Sequence, residues 1–149
     1  MAEAVPAGAR SAADIGAGDG QVAMALVGRG LRVIATEVRP SSFVRLPAWL
    51  DRRCGDGLSV LRPGEVEGVV VAGMGGRRIA AMLERGREVV QSLRWLVLQP
   101  QQHVSQLEAW LPRSGYRLLA ARDVEQGRRS YRVLLVEPPR PGGHLHERA

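Results

Sequence analysis

The chain has 149 residues, which is the size of one domain, and its 45% hydrophobic and 24% charged content is typical of a soluble globular protein. No apolar run approaches the roughly 20 residues that span a bilayer, and the N-terminus does not have the pattern of a signal peptide, so a membrane partner is not expected. The single cysteine, Cys54, excludes an internal disulfide and fits a cytoplasmic location.

The net charge of +6 favours a polyanionic partner, but the composition weakens that argument. All 21 basic residues are arginine, which indicates a compositional bias of the source genome rather than selection for RNA binding. Metal ligands are scarce. Two of the three histidines, His144 and His146, lie in a Pro- and Gly-rich tail, so no metal site is expected.

Predicted strands and helices alternate along the chain, which indicates an α/β domain with a mostly parallel sheet and helices on both faces. The first predicted strand ends near Ile15, and the next four cover about 31–37, 52–55, 68–72 and 94–98. The strand at 68–72 is a continuous β-branched run, which is typical of a strand buried on both faces. The predicted helices cover about 20–29, 41–50, 77–92 and 103–113.

The last third of the chain predicts a closing antiparallel hairpin. Its strands would cover 116–123 and 130–137, around a turn at Gln126-Gly127-Arg128. We therefore expect one domain over residues 1–137 and a disordered tail over 138–149.

The run Asp14-Ile15-Gly16-Ala17-Gly18-Asp19-Gly20 is the most informative stretch. A strand, a glycine turn and a helix start form a socket for a nucleotide-like ligand, because glycines permit close approach and the free amides at a helix start attract anions. The dinucleotide fingerprint G-x-G-x-x-G would need a third glycine where Gln21 stands. An acid before alternate glycines instead resembles motif I of the class I S-adenosylmethionine (SAM) methyltransferases.

Acidic residues end two further predicted strands, and ligands of such sheets bind at strand ends. Glu37 would accept hydrogen bonds from both ribose hydroxyls, whereas the alternative is a surface acid beside Arg39. Asp56 would accept from the adenine amine, and the alternative is a simple Asp-Gly turn.

The loop Ala72-Gly73-Met74-Gly75-Gly76 follows the fourth predicted strand. Its three glycines are expected where backbone must approach a cofactor or an incoming base, and the alternative is a plain helix-start turn.

Taken in order, several segments closely resemble the bacterial tRNA (adenine-22-N1)-methyltransferase family. They are Asp14-Ile15-Gly16, Thr36-Glu37-Val38, Gly55-Asp56-Gly57-Leu58, Val71 to Gly76, Leu98-Gln99-Pro100-Gln101, Trp110-Leu111, Gly115-Tyr116 and Ser130-Tyr131-Arg132-Val133. The likeness covers about residues 12–137, and the Ala-Gly-Met-Gly-Gly run with Leu-Gln-Pro is its most specific part. It implies a Rossmann-like fold, SAM as methyl donor, tRNA as substrate and methylation at adenine N1.

The resemblance and the strand-end argument together give a set of expected site residues. The expected cofactor-binding residues are Asp14, Gly16, Gly18, Gly20, Glu37, Val38, Asp56, Gly57, Ala72, Gly73 and Met74. The expected substrate-binding residues are Gly75, Gly76, Arg77, Gln99 and Pro100. With no aromatic side chain obvious near the site, Met74 or Arg77 would have to contact the base.

The chain departs from the family pattern in two places. Members usually have an Asp-His pair inside motif I, and the aspartate is thought to help catalysis. Here the aligned pair is Gly18-Asp19, so Asp19 is the catalytic candidate that remains, one position later. Members also have a C-terminal helical domain thought to grip tRNA, and this chain is expected to be the methyltransferase domain alone.

Three functions remain open on the sequence. The first is an active tRNA methyltransferase of minimal length, with a second copy in a homodimer completing the RNA contacts. The second is a SAM-binding module that has lost catalysis. The third is a methyltransferase that acts on a small molecule or a protein.

Overall fold

The computed structural model describes residues 1–140, and its centre is one seven-stranded sheet. The strands are β1 (Ser11–Ile15), β2 (Arg32–Glu37), β3 (Asp51–Cys54), β4 (Gly68–Met74), β5 (Trp95–Pro100), β6 (Arg117–Gln126) and β7 (Arg129–Glu137). Their order across the sheet is β3-β2-β1-β4-β5-β7-β6. Strands β1 to β5 pair in parallel, β7 is antiparallel to β5, and β6 forms a hairpin with β7.

Within residues 1–140, five α-helices connect these strands, so the predicted fold class is confirmed. They are α1 (Gln21–Gly28), α2 (Pro40–Phe43), α3 (Gly76–Arg85), α4 (Arg87–Gln91) and α5 (Val104–Arg113). The closing hairpin, predicted around residues 126–128, is present with longer strands than expected. The parallel order places the carboxyl ends of β1, β2, β4 and β5 along one edge of the sheet.

The hydrophobic core lies on both faces of the sheet. The β-branched run of β4 is buried throughout, as predicted, and its side chains alternate between the faces. Val69 and Val71 pack with the apolar residues of α3, α4 and α5. Val70 packs on the other face with Ala23 and Leu26 of α1. In residues 1–140, α3 to α5 contribute nothing to this second cluster.

Two predicted helices differ from the structure. The helix expected over 41–50 is wrong beyond Phe43, where the chain continues as tight turns. Pro47 explains this, because proline lacks an amide hydrogen and disfavours helical angles in the residue before it. The helix expected over 77–92 is divided at Gly86, where a Cβ atom would lie 2.6 Å from Cδ1 of Leu58.

The predicted tail begins after β7. Residues 138–140 have no regular secondary structure, and the rest of that segment, with His144 and His146, lies outside the described residues. Within residues 1–140, no helix combines the length and apolar character that crossing a membrane requires.

Candidate active site at the carboxyl edge of the sheet

The turn between β1 and α1 is built from glycines in the left-handed region. Gly16, Gly18 and Gly20 have φ angles of +70°, +60° and +84°. Residues with a side chain rarely adopt such angles, so the alternation of glycines in the sequence follows from the shape of this turn. Gly16 and Gly18 are exposed, which leaves their backbone accessible at the edge of the sheet.

Side chains at the end of β2 hold this turn in place. The amide of Gly18 donates to Oε2 of Glu37 at 2.8 Å, and the amide of Gly16 donates to Oγ1 of Thr36 at 3.4 Å. Both acceptor residues are buried, with 8% exposure for Glu37 and 1% for Thr36. The Glu37 carboxylate therefore lies against the turn, and its ribose-binding role stays a prediction.

Asp14 is a buried acid without a complete set of partners. It is 3% exposed, and its Oδ2 atom accepts no hydrogen bond from a described residue. Burial is the main reason that the pKa of Asp14 is raised to about 7; the hydrogen bond from the Ala23 amide opposes it, and the negative charges of Glu37 and Asp19 add smaller upward effects. The charges of Glu37 and Asp19 are close enough to affect Asp14, so a cationic ligand beside these acids would be favoured.

Asp19 is exposed and already has a local role. Its Oδ1 atom accepts from the amide of Gln21 at 3.2 Å, at the first turn of α1. This bond satisfies one of the free amides of the helix start. The second carboxylate oxygen is free to face a ligand.

The loop after β4 contains a bulge at Gly73. The pairing of β4 with β5 shifts between Ala72 and Met74, and Gly73 has a φ of +80°. Its amide donates to Oε1 of Gln99 at 3.2 Å. Gln99 is 7% exposed, and its Nε2 atom has no described partner. The family-like runs at 72–76 and 98–100 therefore lie side by side in the sheet, and this side-chain hydrogen bond adds to their strand pairing.

Met74 connects the two glycine loops. Its Cε atom lies 3.6 Å from the position of a Cβ atom on Gly16, an ordinary van der Waals distance. The loop after β4 thus contacts the turn after β1.

The remaining predicted substrate-binding residues lie around the start of α3. Gly75 precedes the helix, Pro100 ends β5 and is buried, and Arg77 donates from Nε to Oε1 of Gln106 at 2.7 Å. Gly76 is buried against the start of α5. Its amide donates to the backbone carbonyl oxygen of Gln102 at 2.7 Å, and a Cβ atom on it would lie 2.4 Å from the backbone carbonyl oxygen of His103. This close packing of two helices accounts for a glycine at position 76 without any substrate contact.

The residues predicted to bind the cofactor after β3, Asp56 and Gly57, have different surroundings, and Val38 follows β2. Asp56 is exposed and forms an ion pair with Arg85 at 3.6 Å. It lines a cavity of about 360 Å³ that includes none of the motif I residues. Gly57 is buried with a φ of +57°, and a Cβ atom there would lie 2.8 Å from Sδ of Met82. Val38 is exposed beside Glu37.

The sequence did not predict that the hairpin formed by β6 and β7 lines a cavity beside the loop after β4. A cavity of about 950 Å³ extends from Ala72, Gly73 and Gln99 to Val124 and Tyr131. Tyr131 supplies the aromatic ring that no spacing in the sequence placed near the site. Its presence in the family-like run at 130–133 was the available indication.

Comparisons with known proteins agree with this geometry. A family model described as a methyltransferase domain matches residues 1–134. The tRNA (adenine(22)-N(1))-methyltransferase of Bacillus subtilis (strain 168) is 38% identical over 85 residues, which are 57% of this chain and 36% of that relative. The matched region thus spans little more than a third of that relative's length.

Two solved structures are also similar in fold. The crystal structure of the B. subtilis m1A22 tRNA methyltransferase TrmK has a TM-score of 0.83 at 30% identity, with 97% of this chain and 68% of that chain covered. Sp1610 of Streptococcus pneumoniae, solved in complex with S-adenosyl-L-methionine, has a TM-score of 0.82 at 27% identity, with 97% and 73% covered. The chain therefore belongs to the methyltransferase domain family and, within it, to the family of bacterial tRNA (adenine-22-N1)-methyltransferases.

Proposed function

We propose that this domain binds SAM and transfers its methyl group to N1 of an adenine in tRNA. The observation that carries the proposal is the left-handed glycine turn held by Glu37, with the unpartnered Oδ2 atom of Asp14 beside it. Two relatives described above are named as methyltransferases of this adenine, which supplies the acceptor.

The residues present fit SAM as a ligand. SAM carries positive charge at its sulfonium and ammonium groups, and the acids Asp14, Glu37 and Asp19 would stabilise that charge. Glu37 has an oxygen left for the ribose hydroxyls, because its described hydrogen bond uses Oε2 alone. The exposed backbone of Gly16 and Gly18 lets the ligand approach closely.

Methyl transfer from SAM to adenine N1 requires mainly that the protein position the two reactants. SAM supplies a methyl carbon that is activated by its bond to the sulfonium. The lone pair of adenine N1 forms the new C–N bond while the S–C bond breaks, leaving a neutral thioether and a cationic adenine. Holding the reacting atoms in line at about 3 Å supplies most of the catalysis in such a transfer. Asp19 would stabilise the positive charge that forms on the base.

Calorimetric titration with SAM, followed by methyl incorporation into unmodified tRNA transcripts, tests the proposal. We expect SAM binding and one methyl group per tRNA, with no incorporation into a transcript that has guanine in place of adenine 22. Binding without incorporation would overturn the tRNA activity and leave a SAM-binding module or a different acceptor. Absence of SAM binding would overturn the proposal entirely.

The partners and the location follow from the same proposal. tRNA is the proposed partner, and the cytoplasm is where such a reaction would take place. A homodimer stays a prediction, which sedimentation of the protein with and without tRNA would test.

A further inference from the structure

A large cavity extends from the loop after β4 to the hairpin and is also lined by α1 and by the first residues of the chain. Its volume of about 950 Å³ is within the range of small-molecule sites and admits a nucleoside. Gly73 and Gln99 line its inner end, while Val124 and Tyr131 line the wall formed by β6 and β7. Met74 joins Gly73 to the motif I turn, so the inner end lies next to the proposed cofactor site.

The hairpin presents one aromatic ring to this cavity. Tyr131 on β7 pairs in register with Val124 on β6, which places both side chains on the same face of the hairpin. Tyr131 is partly buried and also borders a second cavity of about 400 Å³ that includes Pro100 and Arg129. A ring in this position offers a flat surface on which a base can stack.

Gln99 offers a hydrogen-bond donor at the inner end. Its Oε1 atom accepts from Gly73, and this settles the orientation of the amide, since the opposite orientation would bring two donors together. Its Nε2 atom is buried and has no described partner. A buried donor is stabilised only when it finds an acceptor, and the purine ring carries acceptor nitrogens at its edges.

Two arginines stand at the turn of the hairpin. Arg128 and Arg129 are exposed, and neither forms an ion pair with a residue in the described part of the chain. Arg132 on the same strand is instead paired with Glu108 and Asp123. The unpaired arginines are placed to contact phosphates of an RNA strand beside the cavity.

We infer that this cavity is the acceptor-base site, in which Tyr131 stacks on a base turned out of the RNA and Nε2 of Gln99 donates to its edge. The bond from Gln99 goes to a ring acceptor other than N1, whose lone pair must stay free for the methyl group. The inference rests on the proposed function, and it names the residues that contact the acceptor base.

Variants of Tyr131 test the stacking role. We expect Tyr131→Ala to lower kcat/KM for tRNA by at least about 10-fold, since stacking on an aromatic side chain gives an effect of this size. Tyr131→Phe keeps the ring and should stay within about 3-fold of wild type. Both should bind SAM as wild type does. Trp49→Ala is the matched control, because Trp49 is 64% exposed and does not line this cavity. Tyr131→Ala with wild-type kcat/KM would overturn the inference.

Gln99→Glu separates the two roles of that side chain. Glutamate keeps an oxygen for the Gly73 amide and loses the donor, so we expect an increase in KM for tRNA with SAM affinity retained. Unchanged KM would overturn the donor role.

A spectroscopic measurement keeps the inference separate from the proposed activity. In the protein saturated with S-adenosylhomocysteine, adenosine monophosphate should shift the side-chain amide protons of Gln99 in an NMR titration, and Tyr131→Ala should weaken that binding. Wild-type protein that does not methylate tRNA would overturn the proposed function, while this shift would still support a base site. Absence of the shift would overturn the base site, whatever the activity.

Discussion

The two glycine loops at the carboxyl edge share one hydrogen-bonding arrangement, but the side chains that accept the bond differ in charge. In the turn after β1, the amide of Gly18 donates to the side chain of Glu37 at the end of β2. In the loop after β4, the amide of Gly73 donates to the side chain of Gln99 at the end of β5. In both, an exposed left-handed glycine is held by a buried polar residue on a neighbouring strand.

The difference between the two acceptors is charge. Glu37 stands beside Asp14 and Asp19, so its side of the edge is acidic and suits a cation. Gln99 is neutral and keeps a donor that has no partner within residues 1–140, so its side suits an uncharged base with acceptor atoms. In both loops a backbone amide is therefore held by a neighbouring side chain, and we propose that this side chain determines which ligand the loop binds.

The largest expected effect comes from breaking the first loop at its glycine. Gly18→Val should weaken SAM binding by at least about 100-fold, because a β-branched residue is strained at a φ of +60° and the loop would lose its bond to Glu37. A Cβ atom there meets nothing within 4 Å, so the domain should remain folded. Calorimetry and circular dichroism measure the two outcomes.

Gly30→Val is the matched control for this loss. Gly30 also has a positive φ, +91°, and open space around its Cβ position, but it lies beyond the far end of α1. It should lower the thermal stability and leave SAM affinity within about twofold. Equal loss of SAM binding in both variants would contradict the proposed pocket.

Replacing Glu37, the hydrogen-bond acceptor of the turn after β1, tests whether its charge matters for SAM binding. Glu37→Gln keeps an oxygen for the Gly18 amide and removes the charge, so SAM affinity should fall by about 1–3 kcal/mol, the usual value of a charge-assisted hydrogen bond. Glu67→Gln is the control, since Glu67 accepts from the Arg10 amide at the opposite edge of the sheet. Wild-type affinity of Glu37→Gln would exclude the ribose role.

The acidic side should also make SAM binding depend on pH. Without ligand, Asp14 has a pKa raised to about 7, so it is mostly protonated at pH 6 and mostly ionised at pH 8. A cation stabilises the ionised form, so binding should release a proton, and affinity should rise about 10-fold from pH 6 to pH 8 before levelling off. Calorimetry in two buffers of different ionisation enthalpy detects the proton. Asp14→Asn should remove the dependence, and its persistence in that variant would assign it to another group.

The smallest effect is expected at Asp19. Asp19→Asn keeps an oxygen for the Gln21 amide and removes the charge, so turnover should fall by only about 3- to 5-fold, because exposed charges are screened by water. SAM affinity should change little. Turnover equal to wild type in a single-turnover assay would refute a catalytic role for Asp19.

Much of the fold could be predicted because its pattern is local. The buried run of β4, the apolar spacing of α3 and α4, and the hairpin turn each depend on neighbours in the chain. One of the two wrong helix predictions overlooked a local signal, because Pro47 disfavours helical angles in the residue before it. The other predicted helix is divided at Gly86, where a Cβ atom would meet the side chain of Leu58, and spacing within residues 77–92 could not reveal that contact.

The sequence by itself determined the alternation of strands and helices and the glycine turn beside two acids, since backbone freedom and residue order are properties of the chain. Only the tertiary structure decided what those residues do together. It paired Gly73 with Gln99, gave Gly76 a packing role against α5, and brought Tyr131 into the cavity. These contacts join residues far apart in the chain, so they depend on strand order and on the angle of the hairpin, which composition and periodicity do not contain.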